Sequence, residues 1–184
     1  HVARYALTGN LWRISNDSHF RFASYPSPRY RFDAPNGQYQ SMYTCAQDIG
    51  TFAEVYVERG RRLGIEDGQR YLLELRSRIA LTLIDLHDIG TVSTLNLDER
   101  ISIGDDYATC QAWALFIYEQ CPDVSGIRYR ARKAGALTAN VFLFADRCVE
   151  HLELVDARRL EDIEDVVLRA ADRYRLTVAF PFKV

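Results

Sequence analysis

The chain has 184 residues, 48% of them hydrophobic and 26% charged, with a formal net charge of −2. This is one ordinary globular domain with enough apolar content for its own core, which excludes a disordered or fibrous chain, and the near-neutral charge gives no footprint for direct nucleic-acid binding. Cys45, Cys110, Cys121 and Cys148 form no C-x-x-C pair, and His1, His19, His87 and His151 form no H-E-x-x-H pattern, so reduced thiols and no metal centre are expected.

Leu11, Trp12, Arg13 and Ile14 read as a short strand. Residues 15–40 then turn to Ser, Asn, Asp, Pro and Gly, with Pro26, Pro28, Pro35 and an Asn36-Gly37 turn. The aromatic residues Phe20, Phe22, Tyr25, Tyr30 and Phe32 in this stretch favour an ordered, functional loop over a disordered one. Residues 41–44 read as a strand. Asp48 is placed to cap a helix running to Arg59 and stopped by Gly60, with Ile49, Phe52, Ala53 and Tyr56 on its apolar stripe. Residues 70–75 and 79–86 read as strands. Asp105 or Asp106 caps a helix to Gln120, ended by Pro122. Its Ala112, Ala114, Leu115, Phe116 and Ile117 cover it nearly all round, so it is expected to be buried. Residues 126–129 and 140–144 are further core strands, residues 161–174 an amphipathic helix, and residues 176–180 a closing strand. Strands and helices mix without strict alternation, which predicts a single α+β domain over residues 1–184.

The familiar chemical signatures are missing. No G-x-G-x-x-G follows a strand, and there is no P-loop and no G-x-S-x-G elbow. No apolar stretch approaches the ~18–20 residues that span a bilayer, and no secretory pattern is present, so no membrane association and a cytoplasmic location are expected by default. Of the 23 basic residues all but Lys133 and Lys183 are arginine. Arginine is the better two-pronged grip on phosphate.

Five stretches carry a resemblance. They are Leu11-Trp12-Arg13-Ile14, then the block from Tyr30-Arg31-Phe32 through Gly37 to Tyr43, then Thr51-Phe52-Ala53-Glu54-Val55. Gly104-Asp105-Asp106-Tyr107 with Gln111 and Trp113 follows, and last Gly126-Ile127-Arg128-Tyr129-Arg130-Ala131-Arg132 with Asn140-Val141-Phe142-Leu143-Phe144. In this order, over residues 11–150, the chain resembles the RES family, named for an Arg, a Glu and a Ser. The resemblance implies a fold like that of ADP-ribosyltransferases and a toxin that consumes NAD⁺ as its substrate, with no bound cofactor. It also implies an Xre-type antitoxin partner with a helix-turn-helix domain. Hydrolysis or phosphorolysis of NAD⁺ and ADP-ribosylation of a protein are both attributed to the family.

The resemblance assigns catalytic roles to Arg31, Tyr43, Glu54 and the serine position, and NAD⁺ binding to Arg13, Arg31 and Tyr43. Breaking the nicotinamide–ribose bond builds positive charge on the ribose, which a fixed carboxylate stabilises, and Glu54 is the candidate. It lies off the apolar stripe of its helix. Arg13 and Arg31 suit the pyrophosphate, and Arg13 would be costly inside a strand if unpaired. Tyr43 offers a ring to stack on nicotinamide and a hydroxyl to orient it. Where the family has its serine, this chain has Ala131. Two readings stay open: a natural variant without the hydroxyl, or a deliberately inactivated sequence. A catalytically inactive module that only binds its antitoxin is the alternative to an active enzyme.

Overall fold

In the computed structural model, which describes residues 2–57, 59–135 and 138–183, the first half of the chain runs through strands β1 (Arg4–Leu7), β2 (Leu11–Ser15) and β3 (Ser41–Cys45), helix α1 (Gly50–Tyr56), and strands β4 (Arg62–Leu63), β5 (Tyr71–Ser77) and β6 (Leu81–Asp85). The second half runs through helices α2 (Ile89–Thr94), α3 (Arg100–Ile103) and α4 (Tyr107–Gln120), strands β7 (Gly126–Arg130), β8 (Ala139–Phe144) and β9 (Leu152–Arg159), helix α5 (Glu164–Tyr174) and strand β10 (Thr177–Val178). Eight strands form one sheet in the order β1-β6-β7-β8-β3-β2-β5-β9. Only β6 and β7 run parallel within it; the short β10–β4 pair stands apart. The architecture is the expected mixed α+β.

β8 holds the centre because its sequence, Ala-Asn-Val-Phe-Leu-Phe, is buried at all six positions. Strand alternation sends Phe142 and Phe144 to one face, against Phe32, Tyr39, Ile127 and the helix residues Ala114 and Ile117. Val141 and Leu143 go to the other, against Met42, Leu75, Leu83 and Leu152. A second core on the helical side packs α1 (Phe52, Ala53, Tyr56) against α5 (Val166, Val167, Ala170). The amphipathic pattern expected of α5 is what buries these residues.

Several boundaries differ from the sequence expectation. α1 stops at Tyr56 rather than Arg59; the chain then turns through Gly60 and Arg61, both at positive φ. Asp48 does not cap the helix from its side chain across a turn but bonds the adjacent Ile49 N–H at 2.7 Å. α4 starts after Asp106, whose side chain accepts from Thr109 N–H, yet it is not buried all round. Cys110, Gln111, Ala114 and Ile117 face the core, whereas Ala112 is exposed and Phe116 is 51% exposed, because nothing packs over the outer face. β1, β4, β9, α2 and α3 were not expected at all, and the closing strand shrinks to Thr177–Val178. Among the described residues no helix is long and apolar enough to cross a membrane, and no cluster of His, Cys, Asp and Glu could hold a metal ion.

Candidate functional site

β2 and β3 share a single residue pair, Trp12 with Cys45, whereas β3–β8 and β2–β5 each pair over five residues. The sheet parts at this seam. Arg13, the next residue of β2, donates from Nη1 to the Tyr43 carbonyl at 2.8 Å, so a side chain satisfies an acceptor on the parted edge. Burial pulls the Arg13 guanidinium below the usual arginine range; the phenols of Tyr25 and Tyr30 oppose the shift and Arg70 adds to it. Among the described residues it makes no ion pair.

The loop before β3 is ordered around one carboxylate. Asp33, 3% exposed, accepts from Arg29 N–H at 2.9 Å and Tyr30 N–H at 2.8 Å through one oxygen, and from the Tyr43 hydroxyl at 3.0 Å through the other. The Tyr43 hydroxyl in turn accepts from Phe32 N–H at 2.8 Å. Burial, reinforced by Asp33, raises the Tyr43 phenol well above its ordinary value. The Tyr43 hydroxyl thus gives its proton to Asp33, which leaves its ring and one lone pair for a ligand. The rings of Tyr25, Tyr30 and Tyr43 follow one another edge-on at 5.6 and 5.7 Å. Asp33→Ala strands three donors. It is expected to cost about 3 kcal/mol, from hydrogen bonds to a charged acceptor, and to lower Tm by roughly 6–12 °C, measured by thermal melting.

Arg31 is buried at 7% exposure, and its Nη1 reaches the Arg100 and Ile101 carbonyls of α3 at 3.4 and 3.3 Å. Its guanidinium lies over the Tyr107 ring at 5.1 Å. Like Arg13 it has no carboxylate partner among the described residues. The three arginines of β7 and its exit behave differently. Arg128 pairs with Asp85, Arg130 with Glu99 and Arg132 with Asp105. Pairing thus divides these arginines: the three of β7 and its exit are tied to acids, and Arg13 and Arg31 are not.

Glu54 is half-buried on α1, and its Oε1 accepts from Lys133 N–H at 3.3 Å. It faces Tyr129, whose phenol is pushed up by burial and by Glu54, and pulled down by Arg31 and by a hydrogen bond from Asn140. Glu54 and Arg31 therefore act with opposite sign on one hydroxyl. Ala131, at 2% exposure, follows two residues on, its N–H donating to Thr138 O at 3.0 Å. Its methyl packs in the α1–α5 core. Cys45 and Cys148 are pushed up to about 12 by burial, which leaves them protonated and poor nucleophiles.

Hydrogen bonds link Arg13 to Tyr43 and Tyr43 to the Arg31 loop through Asp33 and Phe32; Arg31 and Glu54 share only their effect on Tyr129, and Ala131 packs in the α1–α5 core. A family model for the RES domain matches residues 10–163. The chain belongs to the RES domain family. A chain of the crystal structure of the M. tuberculosis MbcT–MbcA toxin–antitoxin complex shares the fold of this RES domain, with a TM-score of 0.67 at 15% identity over 86% of each chain. No curated protein sequence matches the chain.

Three residues of the RES-domain site escaped the sequence reading: Asp33, Tyr129 as the link, and Asn140. Asn140 is 3% exposed, and its Oδ1 has no hydrogen-bond partner among the described residues. A lone amide in the apolar run of β8 was its signal, because a buried polar group is costly unless something pairs with it.

Proposed function

We propose that this RES domain is the toxin of a toxin–antitoxin pair and that its seam site cleaves the nicotinamide–ribose bond of NAD⁺. The observation that carries the reading is the pair Arg13 and Arg31: two desolvated guanidiniums without carboxylate partners among the described residues, with Glu54 and Arg31 both acting on Tyr129. Buried cations of this kind call for an anionic ligand. A pyrophosphate supplies one, and planar, forked donors suit it.

The chemistry then follows from charge. The C–N bond breaks with its electron pair leaving on nicotinamide, and positive charge spreads over the ribose C1 and ring oxygen. The Glu54 carboxylate stabilises that charge in a partly desolvated site. The Tyr25–Tyr30–Tyr43 rings give an aromatic wall for a flat heterocycle. Asn140 Oδ1 is an acceptor waiting for an amide or hydroxyl donor. Water or phosphate captures the ribosyl cation. The antitoxin is of Xre type, in keeping with the family and with the toxin–antitoxin assembly of its structural neighbour, and the pair works in the cytoplasm.

The test is nicotinamide release from NAD⁺ by the chain and by Ala131→Ser. Serine restores a hydroxyl at the family position, and one such polar contact is worth on the order of 10²–10³ in rate. An Ala131→Ser protein that is folded yet releases no nicotinamide overturns the reading. Ala131 itself favours a second reading: with a methyl buried in the core and no hydroxyl, the chain as it stands is a binding module. NAD⁺ binding by calorimetry without turnover identifies that case.

A further inference from the structure

Residues at the ends of α1 and α5 border an open pocket of about 380 Å³ lined by Val57, Lys133, Tyr174 and the exposed Arg61, Arg173 and Arg175. Four of its six lining residues are cationic. Two of them, Arg61 (φ 60°) and Arg175 (φ 55°), hold the left-handed backbone conformation that non-glycine residues adopt only at a cost. Both are fixed by their surroundings. Arg61 N–H donates to Tyr56 O at 3.0 Å, Thr177 N–H to Arg61 O at 2.8 Å, and Arg61 Nη1 to Tyr174 O at 2.8 Å. Arg175 is the C-cap of α5.

Helix polarity explains part of this. The C-terminus of α5 carries roughly half a negative charge, which one arginine offsets. It does not explain why the unpaired Arg61, Arg173 and Arg175 line one concavity. Among the described residues Arg61, Arg173 and Arg175 make no ion pair, whereas Arg128, Arg130, Arg132, Arg158 and Arg169 each meet an acid. The cavity is too small and too local for a duplex.

We propose that this pocket is a second anion site, separate from Arg13 and Arg31, that binds a phosphate group. The bound group would be a small dianion, either free phosphate or the terminal phosphate of a nucleotide. The pocket also borders Glu54. Val57 lies one helical turn beyond Glu54, and Lys133, which lines the pocket, holds Glu54 through its N–H. An occupant bound there draws on the same residue that positions the carboxylate.

The experiment is calorimetry of the intact chain with inorganic phosphate and with adenosine 5′-monophosphate at matched ionic strength, for the parent, Arg173→Gln/Arg175→Asn and Arg13→Gln. Asparagine tolerates the left-handed conformation at 175, and thermal melting confirms that each variant is folded. The expected result is binding to the parent and to Arg13→Gln alike, at least about tenfold weaker in the double variant. Equal affinity for the two probes identifies free phosphate as the ligand, and preference for the monophosphate identifies a nucleotide. No binding to the parent overturns the proposal, as does undiminished binding to the double variant or loss confined to Arg13→Gln. Because nothing in the readout requires NAD⁺ turnover, failure here leaves the reading of the seam site standing, and failure of that reading leaves this one.

Discussion

Replacing Gly126 by alanine is expected to cost at least about 4 kcal/mol, a large share of the 5–15 kcal/mol that holds a domain together. The cause is space, not backbone freedom. Gly126 opens β7, pairs with Leu143 of β8, and sits where an added Cβ would meet the Phe142 carbonyl oxygen at 2.0 Å and the Leu143 Cα at 3.1 Å. Real Cβ atoms do not come so close to a backbone oxygen. The obstacle is main chain, so no rotamer change relieves it. Either β7 and β8 separate, breaking the ladder from Gly126 to Arg130, or Phe142 and Leu143 move, and they are fully buried on opposite faces of β8. A fall in Tm of roughly 10 °C or more checks the expectation. Gly9 supplies the contrast: its added Cβ meets nothing within 4 Å and its φ is not positive. Gly9→Ala should stay within about 0.5 kcal/mol of the parent. Gly126→Ala and Gly9→Ala proteins that melt together would refute the packing argument.

The same strand shows how far the sequence could be read. β8 and the helical side of α5 were legible because their burial follows from local pattern: a continuous apolar run in one, a 3.6-residue stripe in the other. β9 was not. Its Leu-Glu-Leu-Val-Asp-Ala-Arg-Arg run is mostly exposed, since it is the edge of the sheet and only Leu152 is buried. Charges belong on an edge strand, and they erase the alternation that would announce it. α2 and α3, at six and four residues, are shorter than any periodicity can declare. α4 failed in the other direction. Its apolar residues outnumber its buried ones, and pattern alone cannot tell that Phe116 faces outward.

The site divides along the same line. Arg13, Arg31, Tyr43, Glu54 and Ala131 were named from blocks far apart in sequence; the fold ties Arg13 and the Arg31 loop to Tyr43 by hydrogen bonds and leaves Ala131 in the apolar core. What sequence could not supply was the state of each group. Arg31 reads as a loop residue until the α3 carbonyls of Arg100 and Ile101, some 70 positions later, close over it. Asp33 reads as one acid among many until three donors converge on it. Pairing is a property of the folded chain, and pairing is what separates a structural arginine from an available one.

In the Ala131→Ser background, Glu54→Gln is expected to lower nicotinamide release by on the order of 10²–10³, the usual cost of removing one preorganised charge from a transition state. Glutamine keeps the shape of the side chain and an oxygen for the Lys133 N–H, so folding should be unaffected and only the charge is lost. A carboxylate that acts on the ribosyl cation acts after binding. The fall should therefore appear equally in kcat and kcat/KM with KM nearly unchanged, whereas a loss of substrate grip would raise KM instead. Arg13→Gln should show that second pattern, because a pyrophosphate contact is made before and during reaction alike. Half-burial beside Tyr129 makes the difference between the two residues meaningful. A solvated helix glutamate could be changed to glutamine with no kinetic consequence, so an E54Q protein turning over NAD⁺ within about threefold of its parent would return Glu54 to that class and leave the site without its acid.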